Sequence, residues 1–215
     1  MPKVKKKKKG KRLTREAVAT AALELVDQEG LHSLSMRRVA ARLDVDPMAL
    51  YRTVPDRNGM IGDIVRLLLD EIDTTEQAGE SWLQTMRRVA TSERVMALRH
   101  PQAYPLVAMA PTHEDPGLSH AYRVMRLVTK SGLSEEAFFD MWIVADAWTT
   151  GFLLLETNVL VHEALRAAAG APDQPDSDWA DKMASTVSED AFWHGLDLIY
   201  SGLAMAFESK GGVSA

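Results

Sequence analysis

The sequence predicts an all-α fold, with a helix-turn-helix near its N-terminus and a larger helical body behind it. Three observations predict this. Apolar residues recur at helical spacing along nearly the whole chain, and no stretch alternates with a period of two. Ser, Thr or Asp stands at the N-cap position ahead of one apolar stripe after another. Two short helical patterns are separated by only Asp44-Val45-Asp46, the three-residue turn of a helix-turn-helix.

Each element follows from its own residues. Thr14 caps a helix with Val18, Ala22, Leu25 and Val26 on one face, ending at Gly30. Ser35 caps a second with Met36, Val39, Ala40 and Leu43. Asp46 followed by Pro47 opens a third of about two turns, because proline suits the first helical position. Asp56 opens a fourth, striped by Ile61, Ile64, Val65, Leu68 and Ile72, and the polar run 74–80 behind it is the expected domain boundary. Ser81 starts a helix to about Arg99; Pro101, Pro105 and Pro111 then confine the next to a short, broken piece. After the loop 111–117 comes a helix to Lys130, and Ser134 caps a long one to at least Glu156, with Glu135 and Glu136 suiting its N-terminal dipole. A loop at 170–178 precedes a last helix from Ser188 to near Lys210. The expected organisation is a basic arm over 1–13, a helix-turn-helix domain over 14–73 and a helical body over 74–215.

Composition narrows the function classes. Of the 215 residues, 46% are hydrophobic and 26% charged, the balance of a folded globular protein. The absence of cysteine excludes disulfides, a thiol nucleophile and thiolate metal sites. The longest apolar stretch, Ala147 to Leu155, falls short of the ~20 residues that span a bilayer, and no apolar segment follows the lysine-rich start, so a cytoplasmic protein without a membrane partner is expected. The net charge of −5 conceals an asymmetry. Residues 1–57 carry fourteen Lys/Arg against seven Asp/Glu, and the remainder eleven against twenty-three. Eight of the positive charges, Lys3, Lys5 to Lys9, Lys11 and Arg12, lie in the arm alone, where they suit a polyanion or a solvated tail equally.

The run Gly30-Leu31, Ser35-Met36-Arg37-Arg38-Val39-Ala40, Pro47-Met48-Ala49-Leu50-Tyr51-Arg52, Val54-Pro55-Asp56-Arg57 and Met60-Ile61 resembles, in order and spacing, the tetracycline-repressor family of one-component transcriptional regulators. The last helix, with Phe192, Gly195-Leu196-Asp197 and Gly202-Leu203, resembles the family more weakly. The resemblance implies that Tyr51 sets its hydroxyl against a DNA phosphate and that Arg37, Arg38 and Arg57 approach the backbone, Arg57 replacing a common lysine. The helix opened by Pro47 would enter the major groove. Sequence readout is then expected from Asp46, Met48, Ala49, Arg52 and Thr53, with Arg52 the best guanine reader because guanidinium pairs bidentately with O6 and N7. The sequence departs from the family at Asp44, where glycine is usual, and at Thr53, often histidine. The arm can lie along phosphates or in the minor groove.

For the body the resemblance implies ligand binding and dimerisation. It holds all five Trp, all five Phe and seven of eleven Met, and flexible methionine suits an adaptable cavity as well as an ordinary core. The expected effector is small and lipophilic, lined by Met86, His100, Tyr104, Met109, Tyr122, Met125, Trp142 and Asp146, with the proline-broken segment leaving one side open. A homodimer seam is expected at Gly195, Ile199, Gly202 and Ala206, which share a helix face. Release of a palindromic operator by the effector follows, with the fourth helix as lever. No metal or cofactor is expected, since His194 with Asp190 and Asp197 is the only helical trio and reads best as a solvated face. An enzyme lacks its motifs: there is no G-x-S-x-G, phosphate loop or dinucleotide fingerprint, and His162-Glu163 has no second His. A helical interaction protein using its arm nonspecifically is the remaining class.

Overall fold

The computed structural model describes residues 13–170, 179, 182, 183 and 185–210, with side chains as far as Phe207. The basic arm and most of the 170–178 loop lie outside the described residues. The described elements are α1 (Arg15–Glu29), α2 (Met36–Arg42), α3 (Pro47–Tyr51), α4 (Arg57–Asp70), α5 (Trp82–Arg99), α6 (Tyr104–Ala108), α7 (Gly117–Lys130), α8 (Glu135–Ala169) and α9 (Glu189–Lys210), with a 3-10 turn at Leu31–Ser33. Two compact units divide between Ile64 and Val65, inside α4. The boundary therefore falls earlier than the expected residue 73. The reason is local: Leu69 and Ile72, on the last turns of that stripe, are buried among second-unit side chains.

In the first unit, the expected caps form. Thr14 Oγ1 accepts from Ala17 N at 3.1 Å, Ser35 Oγ from Arg38 N at 3.3 Å, and the Asp46 carboxylate from Met48 N at 2.7 Å. The core is Val18, Ala22 and Val26 of α1, Val39 and Ala40 of α2, Leu50 of α3, and Val54, Met60 and Ile64, all inaccessible to solvent. Full burial of a side chain such as Leu50 is worth roughly 1.5–3 kcal/mol. Val45, the one apolar residue of the turn, is only half-buried, and Leu50 fills the centre. Arg15 binds both carboxylate oxygens of Asp63 at 2.9 Å, fixing α1 against the first turns of α4.

In the second unit, a capping box between Ser81 and Gln84 starts α5. Ser134 caps α8, which runs 35 residues to a left-handed Gly170 (φ 59°), well beyond Glu156. By length and composition alone α8 is apolar enough to cross a membrane. Its buried face, including Phe138, Met141, Ala145, Phe152 and Leu153, packs instead on neighbouring helices of this unit. Arg94 of α5 donates to both oxygens of Glu156 on α8 at 3.1 and 2.7 Å and pairs with Glu189 of α9 at 3.1 Å, joining three helices.

Candidate functional site

The first unit presents α3 to solvent. Leu50 points inward, which turns Met48 (65% exposed) and Tyr51 (46% exposed) outward on the same short helix, beside exposed Pro47 and half-buried Ala49. The Tyr51 hydroxyl is thus free to meet a phosphate. Arg52 is exposed and its Nε donates to the Met48 carbonyl at 3.2 Å, which leans the guanidinium back along α3. Arg57, at the start of α4, donates Nε to the Leu34 carbonyl at 3.2 Å, fixing the stem of an otherwise exposed cation. Arg37 is exposed and forms no ion pair among the described residues.

Three of the expected DNA contacts are modified by their partners. Arg38 is paired with Glu29, so its charge is already neutralised. Asp46 spends its carboxylate on the α3 N-cap, a structural task that competes with reading a base. Thr53 is half-buried, with its hydroxyl aimed at the Ala49 carbonyl at 3.4 Å. Asp44, standing where glycine is usual in the resembling family, adopts φ 53°. An Asp side chain tolerates this left-handed conformation, so the turn keeps its geometry without glycine.

The second unit encloses a cavity of about 60 Å³ of free volume. Leu69, Ile72, Met86, Val89 and Trp142 supply apolar wall, and Glu93, Asp146, Thr149, His120 and Tyr200 bring polar groups to it. Glu93 is half-buried on the cavity wall. Burial, reinforced by the nearby Asp146 charge, pushes its carboxyl up to about 7, although the Tyr104 hydroxyl donates to Oε1 at 3.1 Å. Burial also raises Asp146, which forms no hydrogen bond or ion pair among the described residues. His120 is held neutral, burial and then Arg123 pushing it down to about 4. Arg123 Nη2 approaches His120 Nδ1 at 3.5 Å; a guanidinium can only donate, so Nε2 carries the proton. The Tyr200 hydroxyl is buried with no hydrogen-bond partner in the structure.

Of the eight expected lining residues, Met86, Trp142 and Asp146 line this cavity. The other five do not. Met109 (82% exposed) and Tyr122 (56% exposed) face solvent. His100 Nε2 lies 3.1 Å from Glu71 Oε1. Tyr104 is wholly buried behind the wall, serving Glu93. Met125 is half-buried on α7 outside the lining. Glu93 and Tyr200 escaped the sequence reading, yet both lie on apolar stripes: 86, 89/90, 93, 96/97 on α5 and 192, 196, 200 on α9. A carboxylate in such a register was the available signal.

The expected seam splits. Gly195 is buried, and a Cβ there would come 1.9 Å from Trp148 Cζ2, so this glycine admits the indole of its own chain. Two turns later nothing lies within 4 Å of a Cβ at Gly202, which is exposed with Ala206, while Ile199 is half-buried. The face is the same, but α8 covers only its first part. Beside Gly202 stand exposed Leu198 and Met205, and α8 carries an exposed row at every fourth residue: Phe139, Ile143, Ala147, Gly151 and Leu155.

A helix-turn-helix with an outward-facing recognition helix, joined to a helical body with an internal cavity, defines the class of one-component transcriptional regulators. Residues 19–62 match the family model for bacterial regulatory proteins of the tetR family, and residues 75–207 match the tetracyclin repressor-like C-terminal domain. The chain belongs to the TetR family, and it is a ligand-responsive, DNA-binding regulator of transcription. It is 28% identical over 144 residues to the HTH-type transcriptional repressor DrrR1 of Streptomyces coeruleorubidus, 65% of this chain but only 52% of that repressor's length. It is 27% identical over 200 residues to the tetracycline repressor protein class D of Escherichia coli, 89% of each chain. Its fold matches that of the TetR family protein ActR of Streptomyces coelicolor, crystallised with (S)-DNPA, with a TM-score of 0.68 at 23% identity over 92% of this chain and 100% of that one.

Proposed function

We propose that the chain is a homodimeric repressor that binds a palindromic operator and releases it when a small molecule occupies the second-unit cavity. Tyr51, Arg37 and Arg57 hold phosphates in this reading. Met48, Ala49 and Arg52 meet base edges, with Pro47 setting the start of the helix that carries them. The second copy covers the exposed α8 row and the Leu198, Gly202, Met205 and Ala206 stretch of α9, burying apolar surface that a lone chain leaves in water. The names of the two relatives support repression over activation. The reading assigns the chain no catalytic step and places it in the cytoplasm with its operator.

The observation that carries the reading is the size of the cavity. Its free volume, about 60 Å³, is far below the ~300–1,000 Å³ of a pocket for a drug-sized ligand. A lipophilic effector must therefore push helices apart to enter, and one of those helices is α4, which supplies Leu69 to the wall, with Ile72 just past its end. The first turn of the same helix carries Arg57. Ligand binding to the widened form thereby competes with the form that fits DNA, a two-state linkage in which each ligand weakens the other. The test is a thermal-shift screen of small molecules followed by anisotropy of labelled operator. Hits should release operator from the wild type and lose potency in Trp142→Ala; hits that release DNA equally from both place the effector elsewhere.

A further inference from the structure

The cavity has walls suited to a lipophilic molecule and polar groups of one sign. Glu93 of α5 and Asp146 of α8 both line it, and no lysine or arginine does. The four arginines of α5 are engaged elsewhere: Arg87 with Asp197, Arg88 with Glu80 and Asp73, Arg94 with Glu156 and Glu189, and Arg99 with Glu71. Asp146 is half-buried and has no hydrogen-bonding or ionic partner among the described residues, and a carboxylate partly withdrawn from water without one is costly. Independently, the Tyr200 hydroxyl of α9 lines the same cavity, is 97% buried by its 3% exposure, and has no partner. An orphaned hydroxyl beside two acids, of which only Glu93 accepts a hydrogen bond, from Tyr104, leaves acceptor capacity that the protein itself does not fill. Trp142 adds an aromatic face to the same wall.

Resting on the effector reading above, we infer that the effector is a lipophilic cation, an aromatic or alkyl amine or ammonium, whose positive charge sits between Glu93 and Asp146 and against the Trp142 ring. A neutral ligand would leave both carboxyls without a counter-charge, and an anion would be repelled. The groups facing Glu93 are Asp146 on α8, Tyr104 on α6 and Tyr200 on α9, with neutral His120 of α7 on the same cavity, so none of them supplies a competing cation. The same environment keeps the empty cavity partly protonated near neutrality, since Glu93 titrates at about 7. A bound cation stabilises the ionised carboxylates, so binding releases protons to solvent at pH 7.

The experiment uses a pair of molecules of one shape and two charges: benzyltrimethylammonium and neopentylbenzene. Calorimetric titration of the full chain at pH 7 should show the cation bound at least about 10-fold more tightly than its isostere, the scale of a charge-assisted contact. Repetition in buffers of different ionisation enthalpy should reveal proton release with the cation alone. Glu93→Gln and Asp146→Asn should each weaken the cation by about 10-fold while leaving neopentylbenzene within a factor of about two. Thermal unfolding of each variant confirms that it is folded. Equal binding of the two molecules, absence of binding by the cation, or cation binding indifferent to both substitutions overturns the inference. Operator anisotropy separates it from the broader reading. A cation that binds through the two acids without moving DNA affinity leaves the cation site standing and removes the effector role. Release of operator by neopentylbenzene alone does the reverse.

Discussion

A carboxylate on the apolar stripe of a helix must either find a cation or give up its charge. Glu156 takes the first course, held by Nε and Nη2 of Arg94, and Glu93, which makes no ion pair among the described residues, takes the second. The difference has a measurable consequence. Burial raises the Glu93 carboxyl from 4.5 to about 7, so between those values the folded chain holds a proton that the unfolded chain has lost. Folding stability contributed by this group is therefore present below about 4.5 and is lost as pH rises through about 7. His120 acts with the opposite sign: lowered from 6.5 to about 4, it costs stability as pH falls through that window and is silent above it. Glu93→Gln keeps an acceptor for the Tyr104 hydroxyl and removes the titration. It should gain stability over the wild type on going from pH 5 to pH 8, on the order of 1–3 kcal/mol. Denaturant melts at the two pH values measure this; an equal difference between variant and wild type at both would mean that Glu93 is not held protonated.

At the scale of elements, one face of α9 is covered at one end and bare at the other. Its glycines look alike in the sequence, seven residues apart on one side, yet Gly195 meets the Trp148 ring and Gly202 meets nothing. Gly195→Ala should lower the melting temperature, since overpacking costs roughly 1–3 kcal/mol, while leaving the subunit equilibrium of the folded fraction intact. Gly202→Leu should spare the fold of the chain and weaken its pairing, which sedimentation would record as a shift towards monomer. A fully dimeric Gly202→Leu protein would move the seam to another face. The contrast also marks where sequence reasoning stopped. Helix starts were legible because a cap is a local event: Thr14, Ser35, Asp46, Ser81 and Ser134 each bond a backbone N–H two or three residues ahead. Periodicity gave the buried faces as well. It could not say which end of a face is covered, because that depends on where a distant helix runs out. The lining of the cavity suffered in the same way. Tyr104, Met109 and Tyr122 lie on short or amphipathic helices whose rotation the sequence left open, and the structure turns Tyr104 wholly inward and the other two outward. Asp44 runs the other way: a departure from glycine that changed nothing, since its φ of 53° is the conformation glycine would have taken.

For the whole molecule, the proposed function places DNA recognition in the first unit and the effector in the small acidic cavity of the second, with α4 contributing residues to both. The exposed apolar rows of α8 and α9 are the proposed surface for twofold pairing, which would fix the spacing of two recognition helices on DNA. In the proposed reading Arg52 is the group through which the first unit reads a base, worth about 1–3 kcal/mol of discrimination if bidentate to guanine. The proposed phosphate contacts of Tyr51, Arg37 and Arg57 predict an affinity that falls as salt rises, at a slope of about −0.9 per phosphate neutralised. Selection of bound sequences from random double-stranded DNA by the full chain tests these statements together. The account predicts a recovered inverted repeat with half-sites about one helical turn apart, and loss of preference at one symmetric pair of positions when Arg52→Ala repeats the selection. Recovery of no common sequence, of a single half-site without symmetry, or of an unchanged repeat from Arg52→Ala would contradict it.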